Sequence, residues 1–422
     1  MSARMPTESR AAQGSFLLGG EPLVFHCHHY NVALQNTIEE CLGQESDALQ
    51  RDAATEVAAA QLLAVLAENP ACQGFAERLQ LAAELSRLLG FGVLQIEGDA
   101  EGGRVRAPRA HYAQGYRAKG IQRTKPACAF HAGFVAAAFA VAAGQPAGTY
   151  VAEEVACRAV QGGTCEFVVT NAGPRGRRPI PASVGEGRVP TVLAPPFGAT
   201  GHIDSPGIIQ ALGSLPLAGN EEGLIPAFGV YLTRHYANYY NRISYEFERR
   251  LAATHPALLA PARMALIEAG HICAFHTFGG IGVSAEWDGL IRPQCRDRAD
   301  WFHGLVACVN ALGWGCWRTV ELVPNELAVV DVYGSYESNG RLAMYGETTA
   351  GSCFLHNGGV AGLMNLLWVG DLTQRPTLDA TYYASIYGQP DAFVAEEVRC
   401  RSKGDDRCTI VARRQRGELL TF

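Results

Sequence analysis

Two stretches of this chain are near copies of one another, and that repetition limits the fold more than any other feature. VAEEVACRAVQGGTC spans 151–165 and VAEEVRCRSKGDDRC spans 394–408, with 8 of 15 positions identical. Further pairs follow in the same order. His29-Tyr30 matches His235-Tyr236 at an offset of 206, LGFG (89–92) matches LGWG (312–315) at 223, CAFHAG (128–133) matches CFLHNG (353–358) at 225, and the Glu/Cys segment matches at 243. Offsets that only rise are what two copies of one domain produce when insertions accumulate in the second. The 422 residues are therefore read as one domain written twice, from about 13 to 170 and from about 228 to 415. The Gly- and Pro-dense segment 171–227 is the connecting arm, and Arg175, Arg177 and Arg178 within it read as part of a solvated linker.

Each copy reads as helix, strands, helix, hairpin. Phe75, Leu79, Leu81, Ala82, Leu85, Leu88 and Leu89 keep helical spacing up to Gly90, a residue suited to a left-handed C-terminal cap, and Trp301, Leu305, Val306, Val309 and Leu312 repeat the pattern up to Gly313. The segments that follow (VLQIE; CWRTVE and ELAVVDVYGSY) alternate and are rich in β-branched and aromatic residues, as antiparallel strands are. The expected class is α+β, an antiparallel sheet with helices occurring twice, and two fused copies can form a pseudo-twofold pair.

Composition narrows the function classes. Apolar residues make up 48%, which supports real cores, and the net charge of −6 has no long basic run, so nucleic acid is not an expected partner. No uninterrupted apolar stretch reaches membrane-spanning length and the first residues lack the apolar core of a signal peptide, so a cytoplasmic protein with no membrane partner is expected. In a reducing compartment, thirteen cysteines point to thiols, metal ligands or catalytic groups ahead of disulfides. No phosphate-binding Gly loop followed by Lys-Ser/Thr, no Gly-x-Ser-x-Gly elbow and no dinucleotide fingerprint is present; GGIG (279–282) lacks the third glycine.

The cysteines have a pattern. Cys157 and Cys165 sit four residues either side of position 161, and Cys400 and Cys408 four either side of Gly404, so each pair is expected to face across a hairpin with a tight turn. Two thiolates supply half of a tetrahedral shell. Cys128 and Cys353 on the preceding helix, and an adjacent acid, are available in both copies. Strict alternation puts Glu153 and Glu396 on the cysteine face, whereas a bulge brings Glu154 and Glu397 round instead.

The order Cys, Gly within five residues, apolar helix, GQP, then Glu-x-x-Cys-x7-Cys resembles the 4-vinyl reductase, or hydrocarbon-binding, domain found in phenol- and toluene-responsive activators. In that family Cys, Glu, Cys and Cys hold a structural zinc near an enclosed aromatic-binding pocket. The resemblance implies one or two zinc ions, on Cys128, Glu154, Cys157 and Cys165 and on Cys353, Glu397, Cys400 and Cys408. One departure stands out: Cys128 to Glu154 is 26 residues and Cys353 to Glu397 is 44, so the extra 18 either loop out or displace Cys353.

Cys-x-x-His recurs at Cys128/His131, Cys273/His276 and Cys353/His356. The middle one, in GHICAFHTFGG, has no counterpart in the first copy, where AAAQLLAVLA stands instead. In FHCHHY, a strand would place His26 and His28 on one face, as two metal ligands. All five tryptophans follow residue 280, which makes the second copy the aromatic-rich one.

Two function classes follow. In the first, the protein is a zinc-stabilised binder of a small hydrophobic or aromatic molecule, with His235, Tyr236, Trp314 and Trp317 lining the second-copy pocket. In the second, it is an enzyme with Cys273 as nucleophile or ligand of an additional metal and His276 or His271 as base. The vesicle-tethering relatives of the domain add a third reading, a scaffold, and with it a homodimer.

Overall fold

The structure, a computed structural model, describes residues 5, 7–10, 14–173, 192–196 and 202–415. Arg175, Arg177 and Arg178 lie outside the described residues.

The chain is α+β, built on thirteen described strands in three antiparallel sheets. In chain order these are β1 (Thr7–Arg10), β2 (Ser15–Leu18), β3 (Glu21–Cys27), β4 (Gln95–Asp99), β5 (Gly102–Ala107), β6 (Tyr150–Ala156), β7 (Cys165–Asn171), β8 (Ile225–Ala227), β9 (Val230–Tyr236), β10 (Cys316–Val323), β11 (Leu327–Tyr333), β12 (Phe393–Arg399) and β13 (Cys408–Arg414). The first half carries β4-β5-β7-β6 and the second β10-β11-β13-β12, the same order twice. The third sheet, β1-β2-β3-β9-β8, takes strands from both halves.

The junction inside that third sheet is self-symmetric. β3 ends at Cys27 before the helix His28–Leu42, and β9 ends at Tyr236 before the helix Ala237–Thr254, an offset of 209. In that register Leu23 pairs Tyr236, Val24 pairs His235, Phe25 pairs Arg234, His26 pairs Thr233 and Cys27 pairs Leu232. Phe25 and Arg234 are each other's equivalents, so exchanging the halves maps the pairing onto itself. Across this pseudo-axis the Arg234 guanidinium lies 5.0 Å from the Phe25 ring centre. The alignment of His29-Tyr30 with His235-Tyr236 is corrected by three residues: His26 is the equivalent of His235, and Tyr30 of Tyr239. His29 and Tyr30 have already entered the helix, and the strand-to-helix transition sets the true register.

Glycines mark where the halves close on one another. Gly90 (φ 86°) and Gly313 (φ 83°) end equivalent turns in the left-handed region. A Cβ on Gly90 would stand 2.9 Å from Leu232 O and one on Gly313 2.8 Å from Leu23 O, so each abuts the strand supplied by the other half. Phe25 N donates to Leu312 O, and Trp314 Nε1 donates to Phe25 O at 2.8 Å, which ties β3 into the second half.

The core of each half is a helix buried on all sides: Ala129–Ala142 in the first and Phe354–Met364 in the second. Each packs on a long neighbour, Glu45–Ala67 or Leu259–Cys273. The approach is close because of Gly133 and Gly358, where a Cβ would meet Arg51 O at 2.3 Å and Ile267 O at 2.0 Å. This packing aligns 267–271 with 51–55, so His271, Cys273 and His276 stand where the first half has Thr55, Val57 and Ala60. The helical run Pro256–Gly282 has the length and mean hydropathy (1.3) of a membrane span, and here it lies against the second core helix.

Ser205–Gly213 forms a helix on Arg298–Asn310, and Ile225–Ala227 is strand β8.

Candidate functional site

Each cysteine cluster is assembled from three elements. Cys128 and Cys353 are the N-caps of the core helices, Cys157 and Cys400 follow β6 and β12, and Cys165 and Cys408 open β7 and β13. Both outer strands carry a bulge, at Val155 between Glu154 and Ala156 and at Val398 between Glu397 and Arg399. The bulge flips the alternation, and Glu154 and Glu397 are the acids that meet the sulfurs; Glu153 and Glu396 stay outside. The ligand atoms of Cys128, Glu154, Cys157 and Cys165 lie within 4.8 Å of one another, and so do those of Cys353, Glu397, Cys400 and Cys408. The extra 18 residues loop out as a wide turn (Asn365–Val369), a short turn (Leu372–Gln374) and the helix Ala380–Tyr387, which leaves Cys353 in place.

The hairpin connections are longer than the expected tight turns, with a helical turn at Arg158–Gln161 and a shorter one at Arg401–Lys403. That path points backbone N–H groups at sulfur. Arg158 N donates to Cys165 Sγ at 3.3 Å and Arg401 N to Cys408 Sγ at 3.4 Å, and from outside the hairpin Ala127 N, just before the core helix, donates to Cys157 Sγ at 3.3 Å.

The donor sets fit a tetrahedral soft divalent ion. Sγ atoms of Cys128 and Cys165 are 3.7 Å apart and those of Cys353 and Cys408 3.4 Å, against roughly 3.8 Å for the edge of a tetrahedron with Zn–S bonds of about 2.3 Å. Glu154 Oε2 accepts from Cys128 N at 2.8 Å and Glu397 Oε2 from Cys353 N at 3.2 Å, while the Oε1 atom of each is buried without a partner. Burial and the adjacent cysteine push both carboxyls up to about 8. A bound cation offsets that repulsion and lets the ligands ionise together.

The candidate pocket residues separate into two groups. β9 carries His235 into the first half, where its Nε2 lies 3.2 Å from Tyr112 OH and its ring packs on Phe130 and Phe91. Tyr236 is buried with it against Phe91 and Phe130. β3 carries His26 into the second half, where its Nε2 lies 3.2 Å from Tyr336 OH and its ring stacks on Trp314 and Tyr30. Trp317 packs beside Trp314 and His356. His235 and Tyr236 thus do not share a pocket with Trp314 and Trp317, because the paired strands exchange their side chains across the pseudo-axis. Tyr240 stands between the two histidines, 4.8 Å from His26 and 4.6 Å from His235 between ring centres.

Cys273, His276 and His271 do not converge either. The segment Ala274–Phe278 is a π-helix, whose wider turn places Thr277 over Cys273 (3.7 Å) and rotates His276 away. His276 stacks flat on His29, at 3.4 Å and 8°, beside Lys119, whose Nζ is 3.0 Å from His29 Nδ1. His271 is 2.9 Å from Asn365 and packs on Tyr387. The groups that do meet Cys273 are Cys27, at 4.0 Å between sulfurs, and His26 Nδ1 at 3.6 Å. Burial raises the Cys27 thiol, but hydrogen bonds involving Cys273, Thr277 and the backbone N–H groups of Tyr30 and His29 outweigh it and bring it to about 7. His28 is not on a strand face with His26: it opens the helix and accepts from Tyr231 N at 3.1 Å.

Eleven solved chains resemble this one. Among them is the phenol-responsive sensory domain of the transcription activator PoxR with phenol, with 13% sequence identity and a TM-score of 0.35, over 52% of this chain and 92% of that one. No family model and no curated protein matches the sequence.

The second half also has a cleft that sequence reasoning did not find. It is narrow, with room for about 20 Å³, between the helices Ala237–Thr254 and Tyr336–Tyr345, with Tyr30, Tyr240, Tyr336, Glu337 and Phe354 toward the interior and Ser244, Tyr245, Glu248 and Arg341 outward. Glu337 accepts from the N–H groups of Leu355 and His356 and lies 2.5 Å from His356 Nδ1, while His356 Nε2 donates to Trp314 O at 2.8 Å. Through His356 and Cys353, three residues apart, the cleft wall and the second cysteine cluster share one helix N-terminus.

In the first half the equivalent place is plugged. Asn36 stands for Tyr245 and Gln35 for Ser244 at the offset of 209, and Tyr116 for Arg341 and Ala127 for Ser352 at 225. There Tyr116 OH donates to Asn36 Oδ1 at 2.6 Å and Gln35 Nε2 to Ala127 O at 3.0 Å. Serine is too short to make the second bond. Comparing the two copies position by position at these offsets is the signal that finds the cleft in the sequence.

Proposed function

We propose that the protein binds a small aromatic or hydrophobic molecule in the second-half cleft, with each Cys3Glu cluster holding a structural zinc. The observation that carries the reading is the asymmetry between equivalent positions: one half closes the gap with hydrogen bonds of Tyr116, Asn36 and Gln35, and the other leaves a narrow cleft in front of Tyr30, Tyr240 and Tyr336. As it stands the cleft has room for about 20 Å³, one water, so a ligand enters only when the side chains that line it move apart. The aromatic inner wall supplies apolar area, and Tyr336 is held from behind by His26. Four protein ligands per cluster leave no open position for a reacting water, so the metal supports the fold. Native mass spectrometry and tryptophan fluorescence with phenols test the reading. Saturable 1:1 binding that perturbs Trp314 is expected; absence of binding to any small aromatic overturns it.

A further inference from the structure

We propose that a second small-molecule site lies on the sheet shared by the two halves, away from the cleft, and that it takes a small aromatic carboxylate whose charge Arg234 receives. The cavity there holds about 260 Å³, between residues of β1, β2, β3 and β9 and the C-terminal end of the helix Ser205–Gly213. A cavity of roughly 150 Å³ already takes a benzene ring, so a substituted ring has room without any side chain moving.

The strand registers fix what faces this space. Thr7 pairs Leu18, Phe16 pairs Leu23 and Phe25 pairs Arg234, so Thr7, Phe16, Leu23, Phe25 and Arg234 share one face of the sheet. Phe16 and Phe25 meet edge to face, with ring centres 6.0 Å apart and planes at 86°, and give the cavity two aromatic walls. At the offset of 209, β2 corresponds to residues 224–227, which hold β8. Among the described residues the sheet ends at β8 on that edge, whereas beyond β2 it continues into β1, so the wall that supplies Thr7 stands on one side of the pseudo-axis only.

Arg234 is the unanswered charge of this cavity. Its guanidinium lies 5.0 Å from the Phe25 ring centre, its Nε is buried without a hydrogen-bond partner, and burial lowers its pKa with no carboxylate acting the other way. Packing on an aromatic face holds the guanidinium plane still and leaves its outer N–H groups for an acceptor. Glu8, the acid of the lining, pairs Leu17 and so stands on the opposite face of the sheet; it is exposed and has a partner of its own. A carboxylate presents two oxygens to the guanidinium fork, and the ring behind it packs against Phe16, Leu23 and Phe25. A neutral ligand of the same shape gains the apolar contact and forgoes the charged one.

The experiment is titration calorimetry of the full chain with benzoate and benzamide, which share a ring and differ in charge, in wild type, Arg234→Met, Arg234→Lys and Gly213→Trp. Wild type should bind benzoate at least about tenfold tighter than benzamide, with a preference that weakens in salt; Arg234→Met should bring the ratio to about one and Arg234→Lys should keep part of it. Gly213 lines the cavity and a Cβ there meets nothing within 4 Å, so Gly213→Trp should fold normally and weaken benzoate at least about tenfold. Circular dichroism checks that each variant is folded. No benzoate binding, a wild-type ratio near one, or a preference that survives in Arg234→Met overturns the proposal. Should Arg234→Met fail to fold, unchanged benzoate affinity in Gly213→Trp overturns it.

Discussion

His26 belongs to the first half of the chain, yet its Nε2 lies 3.2 Å from the hydroxyl of Tyr336 in the second. In the other direction His235 Nε2 lies 3.2 Å from Tyr112 OH, one position along from His111, which stands for Tyr336 at the offset of 225. Each half is completed by a strand from its partner, so neither is expected to fold well alone. Residues 14–173 and 202–415 expressed separately should be unstable, and expressed together they should copurify as a 1:1 pair. Two monodisperse, stable, non-associating fragments would show the exchange to be dispensable.

The same hydrogen bond sets a smaller prediction. Tyr336→Phe leaves a buried imidazole nitrogen without its partner and should destabilise the chain by about 1–3 kcal/mol, read from denaturant midpoints at constant m. An unchanged midpoint would mean that the histidine finds another partner.

Metal analysis addresses the clusters. The purified chain should contain about two zinc ions, with one lost in Cys157→Ala and the other in Cys400→Ala, each with a lower Tm. Sub-stoichiometric metal in wild type, or content indifferent to both substitutions, counts against the zinc assignment.

Writing the first half's plug into the second should close the cleft. Ser244→Gln, Tyr245→Asn and Arg341→Tyr together re-create the residues that join Gln35, Asn36 and Tyr116 to their surroundings. Ligand binding should fall by at least about tenfold, with stability equal or up to about 1 kcal/mol higher. Binding at wild-type strength in the folded triple variant would place the ligand elsewhere.

Acid should unfold the protein through its histidines. Burial lowers His28 and His131 from 6.5 to about 4, and His271 and His276 to about 3. The unfolded chain takes up protons near pH 6.5, where these folded groups do not, so their contribution is complete above that pH and is lost as pH falls toward 4 and 3. At pH 5 each is expected to cost up to about 2 kcal/mol. Thermal melts at pH 7.5, 6.5 and 5.5 should show a steady fall in Tm, and a flat profile would contradict these shifts.

The duplication, the α+β character and the membership of both cysteine clusters were legible in the residues, because repeated motifs and strand and helix periodicities are local signals. The choice between Glu153 and Glu154 was posed correctly as a question of a bulge, and the bulge at Val155 answered it. The aromatic pocket was drawn wrongly because His235 and Trp314 were grouped by the half of the chain that encodes them.

The sequence carried the repeated segments, the α+β class and, through the family resemblance, the Cys, Glu, Cys and Cys of each copy that the structure brings within 4.8 Å of one another. Tertiary structure decided which histidine enters which half, that Cys273 faces Cys27 and His26 in place of His276, and that the cleft opens beside Arg341. The division has a physical cause. The pairing of cysteines across each hairpin follows from short-range spacing, whereas the exchange of β3 and β9 depends on pairing between segments some two hundred residues apart.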